Sequence, residues 1–129
     1  MKPRILLYHV SEGKKAQLQK AAAPMGIQVC EIAKEDVYQK IGYLAGEEGF
    51  LRIEDPAEEL QQEVESGELM VMCGLSKLQF ELLMGLFQRK KLSPIPVKAM
   101  MTPTNRDWPF SKMAREIWNE HRMMTAKRS

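Results

Sequence analysis

The chain has little of what catalytic and metal-binding proteins concentrate. Only two cysteines and two histidines occur in 129 residues, at Cys30, Cys73, His9 and His121, and none of these positions shows ligand spacing. A zinc site is excluded on that ground. An excess of one charge is also missing. Nineteen Lys+Arg stand against 17 Asp+Glu, a formal +2, which provides no basic face for nucleic acid. The one basic bias, Arg122, Lys127 and Arg128, is a short terminal cluster of the kind that is simply solvated. No hydrophobic run approaches the ~20 residues of a membrane span. The apolar stretch Ile5–Val10 is too short for a secretory core, and no small-residue cleavage site follows it. None of the glycines forms a G-x-G-x-x-G or Walker-type loop behind a strand, so a nucleotide cofactor has no support. The expectation is a cytoplasmic protein with no metal, no cofactor, no nucleic acid and no membrane partner.

What is present is ordinary for a globular protein. Hydrophobic residues make up 44% and charged residues 28%, and the length suits a single domain over 1–129. The pattern alternates between strand and helix. Ile5–His9 is an apolar run bounded by Pro3 and Ser11-Glu12-Gly13 and reads as a buried strand. Lys14–Met25 carries Leu18, Ala21, Ala22 and Met25 on one face and ends at Gly26. Ile27–Ala33 is a second strand, marked by its β-branched content. Asp36 is placed to cap a helix with Val37, Ile41, Leu44 and Ala45 on one side, ending near Gly46. Glu47–Glu54 reads as a loop with Phe50 and Leu51 at its tip. Asp55, Pro56 and Glu58 then form a helix-start signal for a segment burying Leu60 and Val64 and stopping at Ser66-Gly67.

Leu69–Cys73 is a third strand, closed by Gly74. Ser76 caps a helix with Leu78, Leu82, Leu83, Leu86 and Phe87 at helical spacing, and Lys90-Lys91 suit its C-terminal dipole. Ser93–Pro96 is a connector whose two prolines exclude helix. Val97–Met101 is a fourth strand. A last helix starts near Pro109, with Phe110, Met113, Ala114, Ile117 and Trp118 in strict i, i+3, i+4, i+7, i+8 order. Four strands alternating with helices imply an α/β fold: a small doubly wound, mainly parallel sheet in order 2-1-3-4, with helices on both faces. No internal repeat is visible in the sequence. Burial is expected for Leu6, Val29, Val71, Leu82, Leu83 and Ile117. In that order strand 1 separates Cys30 from Cys73 by about 9–10 Å, beyond disulfide reach, so both are expected as thiols. The crevice of such a sheet opens at the C-terminal ends of strands 1 and 3.

The segment Val97–Trp108, VKAMMTPTNRDW, is the most specific stretch of the chain. A short buried strand stops at Thr102-Pro103, and a polar turn leads to a tryptophan at the mouth of a helix. Through Lys98, Ala99, Thr102, Pro103, Thr104, Asn105 and Trp108 it resembles the K-A-x-x-T-P-T-N-x-x-W signature of a small bacterial family catalogued as domain of unknown function 3783. The resemblance extends more loosely over most of the chain. It implies a cytoplasmic α/β protein and brings no activity with it. Pro109 follows the tryptophan where relatives are expected to carry a threonine or another capping residue.

Two functions compete. A crevice at the strand ends would gather Ser11, Ser76, Thr102, Thr104, Asn105 and Trp108 as ligand-binding residues for an anion or small polar molecule. The same residue types also cap helices and close turns on their own backbone, and that structural use is preferred. Lys98 reads as the outward lysine of an edge strand. His9 with Cys73 would be a thiolate–imidazole pair if strands 1 and 3 ended together, but the chain supplies no orienting third group, and no catalytic residue is assigned. The favoured function is therefore a non-catalytic interaction or regulatory module, with Phe50 and Leu51 as a contact point for a protein partner or a second copy.

Overall fold

All five residues of the strand Leu69–Cys73 are buried, as are the last four of Arg4–Tyr8, and these two strands form the centre of the sheet. The structure is a computed structural model and describes residues 1–56 and 67–128, with side chains as far as Ala126. The elements run β1 (Arg4–Tyr8), α1 (Glu12–Ala22), β2 (Gln28–Glu31), α2 (Ile41–Leu44), β3 (Leu69–Cys73), α3 (Lys77–Gln88), β4 (Val97–Met100) and α4 (Phe110–Arg128). The sheet order is β2-β1-β3-β4, with β1/β2 and β3/β4 parallel. Strand order, dominant parallel pairing and helices on both faces agree with the sequence. The central pair does not. β1 and β3 are antiparallel, with Leu6 opposite Val71 in the middle of a five-residue register.

The reason lies in how strands buried on both faces read. A continuous apolar run fits a parallel or an antiparallel neighbour equally well, because no polar face fixes its direction. Here β3 runs opposite to β1, and the described part of the connection after β2 packs on one face of the sheet through Val37, Ile41 and Ala45. The sheet becomes two β-α-β units, β1-α1-β2 and β3-α3-β4, facing each other head to tail. They correspond position by position. Tyr8 and Cys73 end the first strand of each unit, and the next residues, His9 and Gly74, both have positive φ, 58° and 69°. Ser11 and Ser76 then cap the two helices, and Leu18 and Leu83 are their most buried leucines. The third residue inside each helix ties its unit to the other. Lys14 Nζ donates to the Pro94 carbonyl at 2.8 Å, and Gln79 Nε2 donates to the Met25 carbonyl at 2.9 Å. The chain therefore contains a structural repeat that its sequence conceals.

Alternation along the strands divides the core into two. Ile5, Leu7, Met70 and Met72 meet α1 and α3 through Leu18, Ala22 and Leu83. Leu6, Tyr8, Leu69, Val71 and Cys73 meet α2 and α4 through Ile41, Phe110, Met113 and Ala114, with Tyr8 and Phe110 in an edge contact at 5.1 Å. Leu6, Val71 and Leu83 are buried as expected, whereas Val29 on edge strand β2 and Ile117 are half-buried. Leu82 is 46% exposed, against expectation. Adjacent helical residues point about 100° apart, so Leu82 and Leu83 cannot both sit at the centre of one stripe.

The helix expected from Asp36 to Gly46 is also different. Lys34–Asp36 is a 3-10 turn, Asp36 pairs with Arg52 at 3.1 Å, and only Ile41–Leu44 is α-helical. The intervening backbone serves α4 instead. The Phe110 and Ser111 amides, which have no partner within their own helix, donate to the carbonyls of Gln39 and Val37 at 2.9 and 2.8 Å. The helix read at Asp55, Pro56 and Glu58, with Leu60 and Val64 on its inner side, falls largely on residues 57–66 and lies outside the described residues.

The two leucines of α3 give a direct check of this packing. Leu83→Ala should destabilise the fold by about 2–5 kcal/mol, the usual cost of a buried leucine. Leu82→Ala should cost no more than about 1 kcal/mol. Urea melts of the two variants measure the difference.

Candidate functional site

Antiparallel pairing at the centre decides which sequence-predicted residues meet. The C-terminal ends of β1 and β2 lie on one edge of the sheet, and those of β3 and β4 on the other. Ser11 is therefore separated by about 15 Å, a strand length, from the edge that holds Ser76, Thr102, Thr104, Asn105 and Trp108. The crevice expected between the C-terminal ends of strands 1 and 3 does not form. His9 and Cys73 part for the same reason: Tyr8 pairs with Leu69, while Cys73 pairs with Arg4.

The residues that do share an edge use their polar atoms on the backbone. Thr102 Oγ1 accepts from the Asn105 amide at 3.1 Å, and Asn105 Oδ1 accepts from the Thr102 amide at 2.8 Å. Asn105 Nδ2 donates to the Met100 carbonyl at 3.0 Å, which fastens the turn to the end of β4. The start of α3 repeats this reciprocal arrangement, with Ser76 Oγ and Gln79 Oε1 each accepting from the other residue's amide. Ser11 Oγ accepts from the Lys14 amide at 3.3 Å. Thr104 is exposed and its side chain does not cap the turn, contrary to the structural role read for it. Trp108 is half-buried against the α2–α4 side of the core. Its carbonyl accepts from the Ile41 amide at 3.0 Å, and the Lys112 ammonium sits 4.4 Å from its ring centre. β4 is an edge strand, as Lys98 suggested. The lysine lies along the α3 face, 4.5 Å from the Phe87 ring centre, and donates to the Ile95 carbonyl at 2.8 Å. Burial lowers its pKa.

No motif announces what stands beside this turn. Arg106 Nη1 donates to Glu47 Oε1 at 2.8 Å and so joins the turn to the loop after α2. The other carboxylate oxygen, Oε2, is buried and has no hydrogen-bond partner among the described residues. Arg4 reaches under the same loop, donating to the Leu44 carbonyl at 2.8 Å and to Gln28 Oε1 at 3.2 Å. Gly46, at φ 77°, lets it approach, since a Cβ there would stand 3.0 Å from Arg4 Nη2. A cleft of about 480 Å³ opens at this point, with Lys2, Arg4, Gly46, Glu47 and Glu48 in its lining. These contacts join charged residues far apart in sequence, and no spacing rule announces them.

Cys73 lies behind the cleft, fully buried. Burial pushes its thiol up to about 12, against a partial pull downward from Arg4. It is no nucleophile at neutral pH. Cys30 is also a free thiol, with β1 between the two cysteines. Among the described residues no three His, Cys, Asp or Glu side chains converge to hold a metal, and no helix is long and apolar enough to cross a membrane.

Two outcomes follow for these residues. Asn105→Ala should cost about 0.5–2 kcal/mol in a denaturant melt, since it releases the Thr102 and Met100 backbone groups together. For Cys73, the folded state holds its proton from pH 9.0, where a free thiol ionises, up to about 12. The folded chain therefore binds more protons than the unfolded one in that window, and stability falls as pH rises through it. Cys73→Ala should show a shallower alkaline decline in melts taken at successive pH values, and the parent the steeper one.

No curated protein and no solved structure matches the chain. A family model does match, that of Domain of unknown function (DUF3783), over residues 68–124. The match covers the second β-α-β unit, the Thr102–Trp108 turn and most of α4. Over that segment, which holds every candidate residue of the β3–β4 edge, the chain is similar to the family Domain of unknown function (DUF3783).

Proposed function

We propose that the chain is a non-catalytic interaction module that pairs with a second copy of itself through the outer face of α3. One observation carries this reading. Leu78 and Leu82, one turn apart on α3, are 65% and 46% exposed on a helix whose other side is packed into the core. Gly85 continues the same face one turn on and leaves a notch, crossed only by the movable end of Arg89. The stripe is self-complementary. When two α3 helices lie antiparallel about a point between Glu81 and Leu82, Leu78 of each meets Gly85 of the other. A net charge of +2 opposes the approach only weakly.

The alternative, a polar ligand at the strand ends, loses support because Ser11, Ser76, Thr102 and Asn105 already bond to backbone groups. The expected loop contact is reduced to one residue. Leu51 is 85% exposed, but Phe50 is half-buried with its ring against Gly42. In this reading the protein works as a single domain in the bacterial cytoplasm, with its two cysteines as thiols.

Sedimentation equilibrium tests the pairing. The parent chain should show a concentration-dependent dimer, and Leu82→Glu should sediment as a monomer that melts with the parent at dilutions where the parent is itself monomeric, because the position is half exposed. A parent that stays monomeric up to millimolar concentration would end the proposal, as would a Leu82→Glu variant that still dimerises.

A further inference from the structure

We infer that the cleft between the start of β1 and the loop after α2 binds a small zwitterion, a free α-amino acid or a close analogue carrying one ammonium and one carboxylate. The inference is independent of the α3 pairing. Its basis is the opposition of charge across a cavity of about 480 Å³, within the range of small-molecule sites. The start of β1 contributes two cations, Lys2 and Arg4, and the loop contributes two anions, Glu47 and Glu48. Among the described residues no ion pair joins the two sides: Glu47 is paired with Arg106, which does not line the cleft, and Lys2, Arg4 and Glu48 enter no ion pair. Charges that face one cavity without neutralising each other retain their pull on a bound molecule.

The local bonding selects the ligand class further. Arg4 is held in place by the Leu44 carbonyl and Gln28 Oε1, and its guanidinium has more N–H donors than those two acceptors use. It is thus a fixed cation suited to a carboxylate. Glu47 is fixed by Arg106 at Oε1, while Oε2 is buried and has no partner among the described residues, an acceptor that a turn of the carboxylate presents to an ammonium. The backbone offers no competing anion cradle, since the amides of Ala45, Gly46 and Glu47 already donate to Ile41, Tyr43 and Gly42. A lone anion would meet the two carboxylates, and a lone cation would meet Lys2 and Arg4. A molecule carrying both charges meets a partner at each end. Arg106 belongs to the Thr102–Trp108 turn, so the turn acts here as a positioning element for Glu47.

The test is a thermal-shift series on the full chain with each of the twenty free L-amino acids, followed by calorimetric titration of the best against its N-acetyl and carboxamide derivatives. The expected result is a concentration-dependent rise in melting temperature with at least one free amino acid, and binding weaker by about tenfold or more when either charge is blocked. Glu47→Gln should weaken binding. Because it also touches the Arg106 pair, Lys2→Met serves as a second variant at an exposed position, and it should weaken binding with the melting temperature of the unliganded chain unchanged. Leu82→Glu should bind like the parent, which separates this site from the α3 surface. The inference is overturned if no free amino acid stabilises the chain at millimolar concentration. Equal binding of the blocked derivatives would overturn it too, as would parent-like titrations of both cleft variants.

Discussion

The antiparallel pairing of β1 with β3 is the constraint on which the rest of the structure depends. Its residues Ile5–Tyr8 and Leu69–Cys73 are all at most 5% exposed, so the pair is solvated on neither face and must be covered twice. α1 and α3 cover one side, and α2 with α4 covers the other. The opposed strand directions then send the polar ends of the two units to opposite edges. That single feature separates Ser11 from Ser76 and His9 from Cys73, and it brings the start of β1 beside the turn that follows β4. The cleft at Arg4 and Glu47 exists because an N-terminal strand end lies where a parallel sheet would have placed a C-terminal one.

Local chemistry made much of this legible in advance. β3 was readable at its true boundaries because Leu69–Cys73 is apolar throughout and stops at Gly74. The start of α3 followed from Ser76. Strand order followed from the alternation of elements. Strand direction did not, because a run buried on both sides carries no facial pattern to orient it. The segment from Asp36 to Gly46 misled for a different reason. Its apolar spacing fits a helix, but the carbonyls of Val37 and Gln39 are taken by the first turn of α4. A tertiary hydrogen bond at that point outweighs the local propensity, and no window of the sequence contains both partners.

The candidate site divides along the same line. The roles of Thr102 and Asn105 were readable because donor and acceptor lie within a few residues of each other, and hydroxyl and amide side chains favour such local bonds. Thr104, of the same chemical type, has no such role: it is exposed and its side chain makes no cap to the turn. Arg106–Glu47 and Arg4–Leu44 were not readable. Charged residues are common on any surface, and only the folded chain shows which of them are brought under a loop. The buried Gln39 belongs with these. Its side-chain amide both donates to the Ile53 carbonyl and accepts from the Ile53 amide, and so replaces a missing neighbouring strand for that loop.

The correspondence between the two β-α-β units has a consequence for assembly. An edge that pairs antiparallel about Leu6 and Val71 is congruent with itself under a half-turn, so β3 offers the same geometry to β1 that it would offer to a second β3. A polypeptide carrying only the second unit would leave this apolar edge open to water and to other chains. Joining two such units in tandem replaces a concentration-dependent encounter with an intramolecular one, at an effective concentration set by the connecting segment. The closure then no longer depends on how much protein is present. Freed from mutual identity, each half can diverge: the first supplies Lys2 and Arg4 to the cleft, and the second supplies the turn that holds Glu47 in place through Arg106.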